Sequence, residues 1–287
     1  MLDIASIARK SGLLEQDQVS WNDKDVPLHQ RGVSASWLVK FVHHVLDAGG
    51  EVADQNECDR LASIRYDTPW PTSVALNPNS GTPTGFVVNE VIVPLTNTRR
   101  LPLYALVPER YRREPDVFIS HAWSNPLAES APGSTLYTLD SRLRSWGPRD
   151  FLWIDFACYN QHYAECIADD MKDVIRAIGR LGIPMINSVP FSRLWCLWEL
   201  LCAHVVGASI EMYEANSSAY DMGMILDRFD YDFRSVENAD TKLKVDKDNI
   251  LAAMESTFVS IPQADEYVRN LAKSMLSKHS DKPWNRA

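Results

Sequence analysis

The stretch that decides the fold reads Asp116-Val117-Phe118-Ile119-Ser120-His121-Ala122-Trp123. Its first part, residues 117–120, is short, apolar and rich in β-branched and aromatic side chains, which is typical of a buried strand. From this point on, short apolar strands alternate with loops and amphipathic helices. Such alternation predicts an α/β fold with a parallel, doubly wound sheet.

The elements after this first strand continue the alternation of strands and helices. Further strands are predicted at 151–156, 183–189 and 209–213, and helices at 136–146 and 167–181, the second ended by Gly182. A last helix is predicted to begin at Ser192, a plausible N-cap, and to carry apolar residues at three- and four-residue steps.

Polar and aromatic side chains follow the predicted strands. In doubly wound sheets, ligands bind beyond the carboxyl ends of the strands, where the strand order reverses. We therefore expect four residues at that edge: His121, Trp123, Asp155 and Asn160.

The segment Ser192-Arg193-Leu194-Trp195-Cys196-Leu197-Trp198-Glu199-Leu200 places one carboxylate among apolar side chains. Trp195 and Glu199 are four residues apart and share a helix face, an arrangement that suits a cationic ligand. Burial would raise the pKa of Glu199 unless a partner compensates. An alternative stays open, in which Glu199 simply reaches the surface or pairs with an Arg or Lys.

Residues 1–107 are predicted to form a separate α+β unit. It has a helix at 34–47, an irregular proline-rich loop at 69–83 and strands at 86–93 and 101–107. The charged segment 108–115, bracketed by prolines, is the predicted domain boundary.

Composition limits the class of protein. The 287 residues suggest two modest domains, and 45% hydrophobic with 23% charged residues is ordinary for a soluble globular chain. A net charge of -9 argues against a nucleic-acid surface. With five cysteines, none in a Cys-x-x-Cys pair, no signal peptide and no membrane-spanning run, we expect a cytoplasmic protein.

Cofactor and metal motifs are weak. The chain has no Gly-x-Gly-x-x-Gly or Walker-type loop, which disfavours a dehydrogenase or an NTPase. Neither the adjacent His43 and His44 nor the trio Cys158, His162 and Cys166 makes a convincing metal site, so no metal or cofactor is expected. A hydrolase using Cys196 and His121 is conceivable, but a cysteine on an apolar helix usually packs rather than reacts.

Three motifs in order, residues 116–123, Trp153-Ile154-Asp155 and residues 192–200, resemble the Toll/interleukin-1 receptor (TIR) domain family. The resemblance covers residues 112–215 well. It departs from the plant pattern at His121-Ala122-Trp123, where Phe-Arg-Gly is common, and it does not reach residues 1–107.

The resemblance implies a flavodoxin-like sheet and a catalytic domain at 112–287 with a C-terminal helical extension. Many TIR domains cleave NAD at the nicotinamide-ribose bond, with a glutamate on the third helix and a tryptophan four residues before it. The matching residues here are Glu199, as the catalytic group, and Trp195. The expected substrate-binding residues are Trp195, His121, Trp123, Ser120, Asp155 and Asn160.

The same resemblance implies NAD as substrate rather than cofactor, with linear or cyclic ADP-ribose or a base-exchanged nucleotide as product. It also implies self-association through TIR domains, with possible signalling to a downstream effector in immunity against phage. Two alternatives remain: a non-catalytic TIR scaffold, and a glycosyl hydrolase acting on another nucleoside or nucleotide.

Overall fold

The computed structural model describes residues 12–14, 21–22, 24–49, 82–128, 135, 151–163, 168–214, 222–241, 244–257 and 260–280. The predicted helix at 136–146, most of the proline-rich loop, Cys166 and the side chains of His43 and His44 lie outside the described part.

Eight strands are described: β1 Gly32–Ser34, β2 Thr82–Pro83, β3 Arg112–Arg113, β4 Val117–Ile119, β5 Pro126–Ala128, β6 Phe151–Ile154, β7 Arg180–Met185 and β8 Ser209–Glu214. Six form one sheet in the order β3-β1-β6-β4-β7-β8. Strands β6, β4, β7 and β8 are parallel to one another, while β1 pairs antiparallel with both β6 and β3. Strands β2 and β5 form a small antiparallel pair.

Nine α-helical segments are described: α1 Ala35–Gly49, α2 Thr84–Val87, α3 Val93–Thr96, α4 Asp155–Cys158, α5 Ala168–Ile178, α6 Leu194–Val205, α7 Met222–Asp232, α8 Lys244–Thr257 and α9 Ile261–Ser280. A π-helical turn, Val88–Ile92, joins α2 to α3. Short 3₁₀ turns lie at Leu28–Gln30, Leu103–Leu106, Glu109–Tyr111 and Val189–Ser192.

The predicted α/β class with a mostly parallel sheet is confirmed. The chain leaves β4 for β6 on one side and then crosses to β7 on the other, so the order reverses at β4. This order is compatible with a flavodoxin-like arrangement, in which ligands bind at the reversal. The predicted helix at 34–47 and strand at 209–213 are confirmed as α1 and β8.

The described part of residues 1–107 does not stand apart from the rest, in contrast to the predicted separate unit. Val33 in β1 pairs with Leu152 in β6, and Val33 and Trp37 share one buried core with Phe118. A strand of three residues has too little alternation to be recognised from sequence, and its partner lies more than a hundred residues away.

The predicted strands at 86–93 and 101–107 are wrong, because the first segment is helical and the second contains a 3₁₀ turn at Leu103–Leu106 and no strand. Residues with high β propensity lose only a little stability in a helix, and burial outweighs that loss. The buried side chains recur at helical spacing, at Val87, Val88, Val91 and Ile92. Tertiary packing therefore overrides the local preference.

Four predicted element ends are also corrected. Helix α5 ends before Gly179, whose φ of 72° suits the left-handed conformation that follows a helix, rather than at Gly182, which lies inside β7. The strands predicted at 151–156 and 183–189 end at Ile154 and Met185. Ser192 does not cap α6: its hydroxyl donates to the Val189 carbonyl at 2.9 Å, and Arg193 takes the N-cap position.

Segment 82–85 supports the loop after β4. The Thr84 N–H donates to the Asn125 carbonyl at 3.0 Å, and the Gly85 N–H donates to the Trp123 carbonyl at 2.9 Å. Because Trp123 and Asn125 follow the central strand, this contact fixes part of the edge where the strands end from outside the parallel sheet.

We expect Gly182→Ala to lower the free energy of unfolding by about 1 to 3 kcal/mol, the usual range for overpacking a core. A Cβ at Gly182 would lie 2.5 Å from Cε2 of the buried Tyr213 ring and 2.6 Å from its hydroxyl oxygen. Denaturant unfolding measures the loss. In a Tyr213→Leu background, where the ring is gone, the same change should cost much less; an equal cost in both backgrounds would refute the contact.

Candidate functional site

The candidate site lies where the central strands end. Ser120 directly follows β4, Asp155 directly follows β6, and Ser120 is held in place because its N–H donates to the Gly182 carbonyl of β7 at 3.0 Å. Parallel strands present their carboxyl ends at one edge of the sheet. The residues that follow these strands are therefore brought together.

Glu199 lies at this edge, on the second turn of α6. Its carboxylate oxygen Oε2 accepts a hydrogen bond from the Ser120 hydroxyl at 2.5 Å. Glu199 is only 7% exposed and Ser120 only 1%. The burial predicted for this carboxyl group is therefore observed. Its hydrogen-bond partner, Ser120, contributes a neutral hydroxyl group.

The surroundings of Glu199 favour its neutral form. Burial raises its pKa well above the ordinary value of 4.5, the Ser120 hydrogen bond opposes that shift, and the nearby Asp155 adds to it. A carboxyl of this kind is ready to respond to a positive charge, because a cation placed beside it would favour ionisation.

Asp155 joins two of the other predicted residues. Its Oδ2 accepts from the Trp123 indole N–H at 2.7 Å, and its Oδ1 lies 3.9 Å from His121 Nδ1, beyond hydrogen-bond distance. Oδ1 also accepts from the Phe156 N–H at 2.7 Å. Asp155 therefore orients the Trp123 ring and the start of α4 at once.

His121 is buried in this group in its neutral form. Burial lowers its pKa, while Asp155 acts in the opposite direction. Its ring meets Phe156 edge to face at a centroid distance of 5.6 Å, and Nε2 has no hydrogen-bond partner among the described residues. A ring nitrogen in this state can accept from or donate to a ligand hydroxyl.

Two predicted residues are bound elsewhere. The Trp195 indole N–H donates to Asp246 of α8 at 3.3 Å, so this half-buried ring lies between α6 and α8. The Asn160 amide donates to the Arg100 carbonyl at 2.8 Å and accepts from the His162 N–H at 3.2 Å. Asn160 therefore links its own loop to the segment at Arg100.

Sequence reasoning missed three members of this region. Asn187 donates to Asn125 at 3.0 Å across the edge, and both follow strands, so the rule that selected His121 would have found them. Asp246 had no such signal, because it belongs to a helix outside the strand and helix alternation.

A separate cleft of 590 Å³ opens between the start of α5 and α8. Its lining residues are Ala168, Asp169, Val245, Asn249, Ala252, Ala253 and Ser256, and Glu199 is not among them. The strand-edge residues Ser120, Asp155 and Glu199 therefore do not line this cleft.

The described cysteines are packed rather than reactive. Cys158, Cys196 and Cys202 are free and buried. Burial raises the pKa of Cys158 to about 12 and raises the pKa values of Cys196 and Cys202 as well, with Glu199 adding to both of those. A thiol that keeps its proton is a poor nucleophile, which disfavours the Cys196 and His121 hydrolase.

Within the described ranges, no three His, Cys, Asp or Glu side chains are grouped so that they would hold a metal ion. None of the helices in the same ranges is both long and apolar enough to cross a membrane.

Comparisons with protein-family models, with curated proteins and with solved structures gave no match for this chain.

Glu199→Gln should remove a pH-dependent loss of stability. The pKa of Glu199 is raised in the folded chain, so its contribution is present below about pH 4.5 and is lost as the pH rises through the folded pKa. Glutamine does not titrate, so we expect the variant to gain stability relative to wild type as the pH rises.

Urea unfolding at several pH values checks this expectation. The exposed Glu266 of α9 supplies the control, since Glu266→Gln should follow the wild-type curve. Parallel curves for wild type and Glu199→Gln would show that Glu199 has an ordinary pKa.

Proposed function

We propose that this chain is a TIR-like enzyme that cleaves NAD at the nicotinamide-ribose bond. The observation that supports this most strongly is the buried Glu199 carboxyl, bound by the Ser120 hydroxyl where the strand order reverses. The three motifs that resemble TIR domains contribute these two residues and Asp155 at matching places.

The reaction needs only one carboxylate at the bond that breaks. In NAD the nicotinamide ring is a cationic pyridinium. It becomes neutral nicotinamide when its bond to ribose breaks, so no acid has to protonate this leaving group. Ordinary glycosidases pair two carboxyl groups because the departing oxygen must be protonated. Water then adds to the ribose carbon and gives ADP-ribose, nicotinamide and a proton. A single buried Glu199 fits this requirement.

Glu199 would act through charge. As the bond stretches, positive charge grows on the ribose, and a carboxylate beside it stabilises that state more than the ground state. Because burial raises the pKa of Glu199, the ionised form is favoured mainly when a cation is present. The low-dielectric surroundings strengthen the interaction further.

The neighbouring residues suit the rest of a dinucleotide. The indole of Trp123 is held by Asp155, and the indole of Trp195 is held by Asp246. Either ring can stack on the pyridinium or on the adenine of NAD. Nε2 of His121 has no hydrogen-bond partner in the part of the chain that the structure describes, and it could meet a ribose hydroxyl or a phosphate. Asn160 has the weakest support, because its amide is engaged by the Arg100 carbonyl and the His162 N–H.

The wider proposal follows the same resemblance. Residues 112–287 would carry the catalytic side chains of a flavodoxin-like TIR fold, with the three helices α7, α8 and α9 as its C-terminal extension. Because β1 belongs to the same sheet, the described part of residues 1–107 would act as part of this body, partly through the backbone contacts of Thr84 and Gly85 with the site loop. Self-association and a role in immune signalling belong to this proposal.

Glu199→Gln should reduce nicotinamide release from NAD by about 100-fold or more, the size expected when a preorganised electrostatic group is lost. Free nicotinamide is followed by chromatography over a range of protein concentrations, because TIR domains can need assembly. Glu266→Gln, with its side chain exposed on α9, should keep wild-type turnover. Equal turnover by wild type and Glu199→Gln would remove Glu199 from the mechanism, and no release at any concentration would favour the scaffold.

Trp195→Ala should raise KM for NAD by about 2- to 30-fold, which corresponds to the ~0.5 to 2 kcal/mol of a cation-π contact. Trp195→Phe keeps an aromatic face but loses the bond to Asp246, so it should lie between wild type and Trp195→Ala. Steady-state kinetics give both values. An unchanged KM in Trp195→Ala would mean that this ring does not meet the substrate.

A further inference from the structure

We propose that Ser120 is a positioning residue: its hydroxyl holds one carboxylate oxygen of Glu199, Oε2, so that the other oxygen is presented to substrate. This role rests on the proposed function for its catalytic consequence. It differs from the substrate-binding role that the family resemblance implies for Ser120.

The sheet holds the hydrogen-bond donor, Ser120, in place. Ser120 is 1% exposed, and its N–H donates to the Gly182 carbonyl of the neighbouring strand at 3.0 Å. The residue before it, Ile119, pairs with Ile154 on one side and with Gly182 on the other. The hydroxyl is therefore held by the middle of the sheet.

The acceptor is fixed by its helix. Leu194, at the start of α6, donates its N–H to the Asp240 carbonyl at 3.1 Å, and the Trp198 indole N–H donates to the Ala168 carbonyl at 3.0 Å. These contacts hold the turn that carries Glu199. A long side chain with several rotatable bonds still needs a bond at its tip to keep one geometry, and the 2.5 Å contact with Ser120 supplies it.

The hydroxyl has a chemical effect besides the geometric one. A donor to a carboxylate favours its charged form, while burial and the like charge of Asp155 favour the neutral form. Glu199 in turn raises the pKa values of the thiols Cys196 and Cys202 on the same helix. The charged side chains Asp169, Lys172 and Arg176 of α5 act on Cys202, and Arg193 acts on Cys196.

Among the described groups that act on Glu199, the Ser120 hydroxyl is thus the one that opposes the raised pKa. Removing it leaves burial and Asp155 without opposition. The carboxylate then ionises only at higher pH, and its free tip has more than one orientation.

The first test is the pH dependence of kcat/KM for NAD in wild type, Ser120→Ala and Ser120→Thr. Ser120→Ala should lower kcat/KM about tenfold or more near neutral pH, the value of a hydrogen bond to a charged group. The acid limb of the profile should move upward by about one pH unit, with activity partly recovered at high pH. Ser120→Thr, which keeps a hydroxyl, should restore most of the activity. A profile for Ser120→Ala that superimposes on wild type overturns the inference.

A second test does not depend on NAD and separates this inference from the proposed function. The stability cost of Ser120→Ala is measured by urea unfolding across the same pH range, in wild-type and Glu199→Gln backgrounds. The cost should grow as the pH rises in the wild-type background, because the folded pKa of Glu199 moves higher. In the Glu199→Gln background, where the side chain is a neutral amide, the cost should be independent of pH.

A cost that is independent of pH in both backgrounds overturns the inference. If wild type releases no nicotinamide but the cost grows with pH, the proposed function fails while the control of Glu199 by Ser120 is upheld.

Discussion

The hydrogen bond between Ser120 and Glu199 is the contact on which the site depends, because it links the central strand of the sheet to helix α6 through two buried polar groups. A buried carboxyl is costly unless something bonds it. Here the bonding group is a neutral hydroxyl rather than a cation, so Glu199 keeps a raised pKa. The fold therefore holds a carboxyl group that is oriented by a hydroxyl rather than paired with a cation among the described residues, which leaves it able to respond to a developing positive charge.

Much of this arrangement was predictable because it follows from local pattern and from one rule of parallel sheets. Short apolar strands alternating with helices indicated the α/β class, and the rule that strand ends meet at one edge placed His121, Trp123 and Asp155 together. Ser120 was expected at the site only through the family resemblance. Helical spacing within a hydrophobic segment indicated that Glu199 would be buried. Each of these inferences uses residues close together in the chain.

The misses share a different origin, since each depends on contacts between distant segments. Strand β1 is recognisable only through its pairing with β6, and residues 86–93 are helical because the valines are buried on one side, despite their strand propensity. Asn160 satisfied the strand-end rule but bonds to the Arg100 carbonyl instead. Asp246 holds Trp195 from a helix with no motif. Such partners are chosen by tertiary packing, which sequence spacing does not encode.

The titration of the Glu199 carboxyl tests the central claim most directly. With glutamate labelled by ¹³C at the side-chain carboxyl, the resonance missing from Glu199→Gln identifies this residue, and its chemical shift is followed against pH. A midpoint well above 4.5 is the result expected for a buried carboxyl whose bond among the described residues is to a hydroxyl. A midpoint at or below 4.5 would mean that Glu199 is solvated or paired with a cation, and would contradict the account.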